Sequence, residues 1–140
     1  MPQKLETVLK NVEEISNNVN RQLINEYHKY LISRDTSPNY QKDNIKLIYM
    51  FAKFLGEYKT FNEVQDRETI ILFLDNKRKS KEEDQEQKWI TIWNDYLWEL
   101  KIFYLFQVNT NSKKIISNKK SDFFGAEKWN FLSLILYTSH

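Results

Sequence analysis

The sequence holds only two histidines, His28 and His140, the side-chain type most often used for general acid–base work. His28 stands among Asn25, Glu26 and Lys29, with no second histidine or paired carboxylate at metal-ligand spacing. It reads as a surface histidine and not as a catalytic base. The chain has no cysteine, which removes both thiolate metal sites and a disulfide framework. With two glycines in 140 residues, a Gly-rich loop that cradles phosphate is out of reach. The carboxylates are scattered or lie in solvated runs, as in the basic-then-acidic stretch over residues 77–84. No constellation amounts to an active site. The expectation is a protein that is not an enzyme, with no catalytic residue, no metal and no cofactor.

What remains is the chemistry of charge and hydrogen bonding on helix faces. Asn39, Lys42, Lys46 and Lys53 fall together at about 100° per residue, opposite the face that carries Phe51. A lysine stripe at that spacing suits a phosphate backbone. An ordinary solvated face is the other reading, and Asp43 and Glu57 on the same side favour it. A second stripe holds Thr91, Asn94, Trp98, Lys101 and Leu105. Asn and Thr can hydrogen-bond base edges or phosphates, and Lys neutralises a phosphate. Trp98 is out of place on a purely solvated face. Packing against the first helix or the C-terminal tail accounts for it equally well.

These stripes need helices to carry them. The scarcity of Gly and Pro, with abundant Leu, Ile, Lys and Glu, argues for helices throughout. Leu5, Val8, Leu9, Val12 and Ile15 keep helical spacing. Ser16-Asn17-Asn18 then interrupts the pattern, and Val19, Leu23, Tyr27, Tyr30 and Leu31 resume it. This predicts two short helices, or one kinked helix, ending near Ser33. Ser37 as N-cap, Pro38 in the first turn and Gly56 past the end bracket a helix whose inner face joins Leu47, Ile48, Phe51, Phe54 and Leu55. A connector follows, with Phe61 and Val64 plugging the core. Asp66 caps a helix through Ile70, Ile71, Phe73 and Leu74 to about Lys77. From Trp89, a broad apolar face runs through Trp93, Leu97, Leu100 and Phe103 and ends near Gln107. Phe51, Leu55, Leu74, Trp93, Leu100 and Phe103 are expected in one core. Residues 109–120 read as a polar, basic linker. No internal repeat is visible.

Length and charge set the outer bounds. A chain of 140 residues suits one domain with a core of its own. The formal net charge is only +2, and the basic excess sits in the tail, at Lys113, Lys114, Lys119, Lys120 and Lys128. Neither a secretory signal nor a membrane-length apolar run is seen, which points to a soluble, cytoplasmic protein with no membrane partner.

Several phrases resemble the core-binding domain of tyrosine recombinases, the phage-type integrases, and above all the archaeal-type ones. They are Ser37-Pro38-Asn39-Tyr40, then Phe51-Ala52-Lys53-Phe54-Leu55, then Phe61-Asn62-Glu63-Val64 with Asp66-Arg67-Glu68, and the run from Trp89 to Phe106. The likeness covers about residues 8–107. It implies an all-α fold, a small orthogonal, SAM-like bundle of four to five helices with a divergent C-terminal tail. Residues 1–107 would form the core-binding-like domain, and residues 108–140 a basic linker and tail. It also implies a partner, double-stranded DNA, with a recombinase or a second copy of the chain as further partners. Carried over by position, Asn39, Lys42, Lys46 and Lys53 belong to one DNA-facing helix, and Thr91, Asn94 and Lys101 to another. Glu99 and Leu105 depart from the family, standing where basic residues would be natural. The recombinase catalytic set is also missing. The only arginines are Arg21, Arg34, Arg67 and Arg78, there is no His-x-x-Arg, and Tyr137 only superficially imitates the nucleophile's position. The resemblance therefore implies a non-catalytic DNA-binding module of DNA integration and recombination, a truncated integrase. A helical protein–protein interaction domain, using Trp98, Leu105 and the tail, is the alternative.

Overall fold

The computed structural model describes residues 4–77 and 88–117, with side chains as far as Asn109. The charged run from Arg78 and the apolar tail that includes Tyr137 lie outside the described residues. Among the described residues five helices follow one another: α1 (Leu5–Glu13), α2 (Asn18–Ser33), α3 (Pro38–Leu55), α4 (Arg67–Asn76) and α5 (Trp89–Ser117). A single 3₁₀ turn, Phe61–Glu63, stands between α3 and α4. There is no strand among the described residues, which are all-helical in class as expected.

The capping residues act where their chemistry predicts. Asn17 breaks the first helical pattern in two because its side chain accepts from the Asn20 amide at 3.0 Å, starting α2. Ser37 accepts from the Tyr40 amide at 3.1 Å, and Pro38 occupies the first turn of α3. Asp66 accepts from the Thr69 amide at 2.7 Å and from the Thr69 hydroxyl. Gly56 ends α3 at φ 85° and ψ −175°, a backbone region that residues with a Cβ scarcely enter.

The chain divides into two compact units, residues 1–64 and 65–140. In the first, α3 packs against both α1 and α2, and α1 touches α2. Val8, Val12, Ile24, Tyr27, Leu31, Ile45, Ile48 and Phe51 are buried there, and Phe61 and Val64 are buried as plugs. The Phe51 and Phe61 rings stack at 5.8 Å. In the second unit α4 packs on α5, burying Ile70, Phe73, Leu74, Trp93, Leu97, Leu100 and Phe103. The Trp93 indole donates to Asp75 at 3.1 Å, tying the two helices together. The residues expected in one core are thus distributed over the two units, and Leu55 is only half-buried.

Two local expectations are corrected. Helix α5 does not end near Gln107 but continues to Ser117, so residues 109–117 are helix and not linker. No Gly or Pro lies between Gly56 and Gly125, and a polar composition alone does not end a helix that nothing caps. Phe54 does not share the buried face of Phe51 but is 39% exposed. Three residues advance the wheel by about 300°, which carries Phe54 to the rim of the buried stripe.

Candidate nucleic-acid faces

The outer side of α3 carries the first stripe much as its spacing foretells. Asn39, Lys46 and Lys53 are exposed, seven residues apart, hence about 10.5 Å apart along the axis at 1.5 Å per residue. The buried side of the same helix anchors this orientation. Ile45, Leu47, Ile48, Phe51 and Ala52 are all within 3% of full burial. Two buried amides add to it. Gln41 donates to the Thr36 carbonyl at 3.0 Å, and Asn44 donates to the Tyr40 carbonyl at 2.8 Å.

Lys42 differs from its neighbours in the stripe. Its side chain is 18% exposed and its Nζ lies 3.7 Å from Asp43 Oδ1. Such a pair with an exposed carboxylate adds little to stability but offsets the charge offered outward. The Lys53 ammonium sits 5.5 Å from the centre of the Tyr49 ring, a cation–π distance that steadies its long side chain.

The stripe on α5 belongs to the second unit and is of another kind. Thr91 is exposed, whereas Asn94 and Lys101 are half-buried. Burial holds the Lys101 ammonium below its usual pKa, since desolvation disfavours the charged form. Between them Trp98 is 58% and Leu105 38% exposed. The α5 face is therefore mixed, with apolar surface between polar groups, while the α3 face is cationic and polar.

His28 is half-buried, and its Nε2 lies 3.2 Å from the Gln41 side-chain oxygen. The expected surface histidine is instead part of the α2–α3 contact. Among the described residues no three His, Asp or Glu side chains are grouped to hold a metal ion. No described helix is long and apolar enough to cross a membrane.

Sequence reasoning placed Phe54 in the core and passed over Tyr58. Tyr58, on the turn after Gly56, is 90% exposed, and Phe54 lies one turn earlier. The helical wheel carried the signal for Phe54. For Tyr58 there was none, because a turn has no periodicity to read.

No protein-family model, curated protein or solved structure matches this chain.

Proposed function

We propose that this protein is a non-catalytic DNA-binding module that takes double-stranded DNA on the outer face of α3, in the manner of a recombinase core-binding domain. One observation carries the reading: Asn39, Lys46 and Lys53 stand exposed in a row on a helix whose opposite side is locked in a core. Cations held at fixed spacing release counterions from a phosphate backbone without further ordering of the protein. Lys42 is the weaker member because Asp43 faces it. On α5, Thr91, Asn94 and Lys101 offer hydrogen bonds, with Lys101 the poorer cation for its burial. The non-catalytic part of the reading is supported by the sequence, whose four arginines end at Arg78 and which holds no His-x-x-Arg of the kind with which a tyrosine recombinase stabilises the reacting phosphate. With only Lys46 and Lys53 as exposed lysines on the α3 face, affinity for duplex at physiological salt falls in the non-specific range, roughly 10⁻⁴ to 10⁻⁶ M.

The test is a salt titration with labelled duplex. Changing Lys46 and Lys53 together to Ala lowers affinity and flattens the slope of log K against log salt by about 0.9 per lost contact. An unchanged slope rules out α3 as the DNA face. A second reading draws on Trp98 and Leu105, whose exposure on α5 suits a protein partner. No duplex binding even at low salt, together with weaker pull-down of a partner by Trp98→Ser, favours that reading.

A further inference from the structure

Trp98 and Leu105, both exposed, stand seven residues apart on α5. Seven residues advance the helix by about 10.5 Å and return to within about 20° of one line. Ile102, half-buried, lies between them on the same side. The buried residues Leu100, Phe103 and Gln107 hold the opposite side. Trp93, whose indole donates to Asp75 of α4, belongs to that buried side as well, so α4 leaves the strip uncovered. One exposed leucine means little, whereas tryptophan is enriched where proteins meet. Glu99 and Lys101, both half-buried, flank the strip on opposite edges. The result is a narrow apolar line with an acid on one margin and a base on the other.

We propose that this strip binds the same strip of a second copy of the chain, the two α5 helices running antiparallel about a two-fold axis between Lys101 and Ile102. A two-fold contact must be self-complementary, because each residue finds its partner on the same surface. This face meets that condition. Turned about the axis, Trp98 of one copy meets Leu105 of the other, and Leu105 meets Trp98. The aliphatic stem of Lys101 comes over Ile102 of the other copy, as long charged side chains cover apolar surface. The same turn sets Glu99 beside the other copy's Lys101, so opposite charges face each other on both margins. A parallel pair would set tryptophan on tryptophan and leucine on leucine. The antiparallel pair opposes a large to a smaller side chain at both levels, which packs better. A different protein would have to bring both the apolar partner and the matching charges that this face supplies to itself. The contact is small, so the pair is weak and depends on concentration. It requires no DNA and stands apart from the α3 reading.

The first experiment is sedimentation of the full chain without DNA, over about 10 to 500 μM, the range for a weak pair. The mass should rise from one chain toward two. Trp98→Ser should stay at one chain throughout. Because Trp98 is exposed, this variant keeps its fold, which circular dichroism verifies. The second experiment uses the absence of cysteine from the chain. Trp98→Cys and Leu105→Cys are made separately, one of them with a mass tag, and oxidised alone and as a mixture. Equivalent positions lie about 10.5 Å apart along antiparallel axes, beyond the roughly 7 Å a disulfide tolerates, so neither variant should link to itself. The mixture should link across the two variants, and such a pair still keeps one intact contact of Trp98 with Leu105. Self-linking of each variant, as strong as in the mixture, overturns the antiparallel pair. A chain that stays single up to the highest concentration, with no linked product, overturns the proposal and leaves the strip to a different protein.

Discussion

Asn20 is the residue on which the first unit's loop depends. Buried completely, it donates to Lys59 and accepts from Phe61, so both halves of its amide are used. Replacement by Ala leaves a buried N–H and a carbonyl without partners. The expected loss is about 2–3 kcal/mol, visible as a lower urea midpoint at unchanged slope. A loss below about 0.5 kcal/mol, the level of an ordinary surface change, refutes this role. Tyr104 makes a pH prediction. Burial raises its pKa well above the ordinary value. Above pH about 10 the unfolded chain ionises this tyrosine while the folded chain keeps it protonated, so stability falls as pH rises through that range. Lys101 acts with the opposite sign. Its folded pKa is lowered, the unfolded chain binds the extra proton, and stability rises between that lowered value and the usual lysine range. Urea unfolding over pH 9 to 11 should therefore show a steeper alkaline loss in wild type than in Tyr104→Phe. Equal profiles would mean that Tyr104 ionises freely in the fold.

At the level of the helix, α3 was almost wholly legible. Ser37, Pro38 and Gly56 bracket it in the sequence and do so in the structure. Its lysine row follows from counting by sevens. Gly56 yields a prediction that separates backbone strain from crowding. A Cβ built there meets nothing within 4 Å, yet φ is +85°. Gly56→Ala should still cost about 1–3 kcal/mol, from strain alone. Measured stability equal to wild type would show that the turn relaxes without cost. Helix α5 was less legible. Its start at Trp89 is clear, but Asn109 to Ser112 looks like a linker by composition and is helix in fact. Side-chain polarity describes what a residue prefers to face, whereas a helix ends only where its backbone is capped or broken.

The division of the whole molecule into units is a property of contacts, and it leads to a prediction about folding. Residues 1–64 hold three helices, a 3₁₀ plug and a buried set centred on Tyr27, Ile48, Phe51 and Phe61. Domains of about 55–65 residues are marginal but many fold alone. A fragment ending at Val64 should keep helical circular dichroism and unfold cooperatively in urea, with a slope near the lower limit for small proteins, about 1 kcal/mol/M. A broad, non-cooperative transition would show that the unit needs the rest of the chain.

By itself the sequence determined the helical class, the start of every helix from α3 onward among the described residues, the stop of α3 and the direction in which Lys46 and Lys53 face. Each of these depends on periodicity or on a cap within a few residues, where local sterics and backbone hydrogen bonding suffice. Tertiary structure alone decided what Asn20, Phe54 and Tyr58 do. The partners of Asn20 lie 39 and 41 residues away. Phe54 reads as core until the width of the buried stripe is known, and Tyr58 stands exposed on a turn whose flanking carbonyls accept from Asn17 and Asn20. Hydrogen bonds between residues far apart in the chain leave no periodic mark, so they become visible only when packing has brought their ends together.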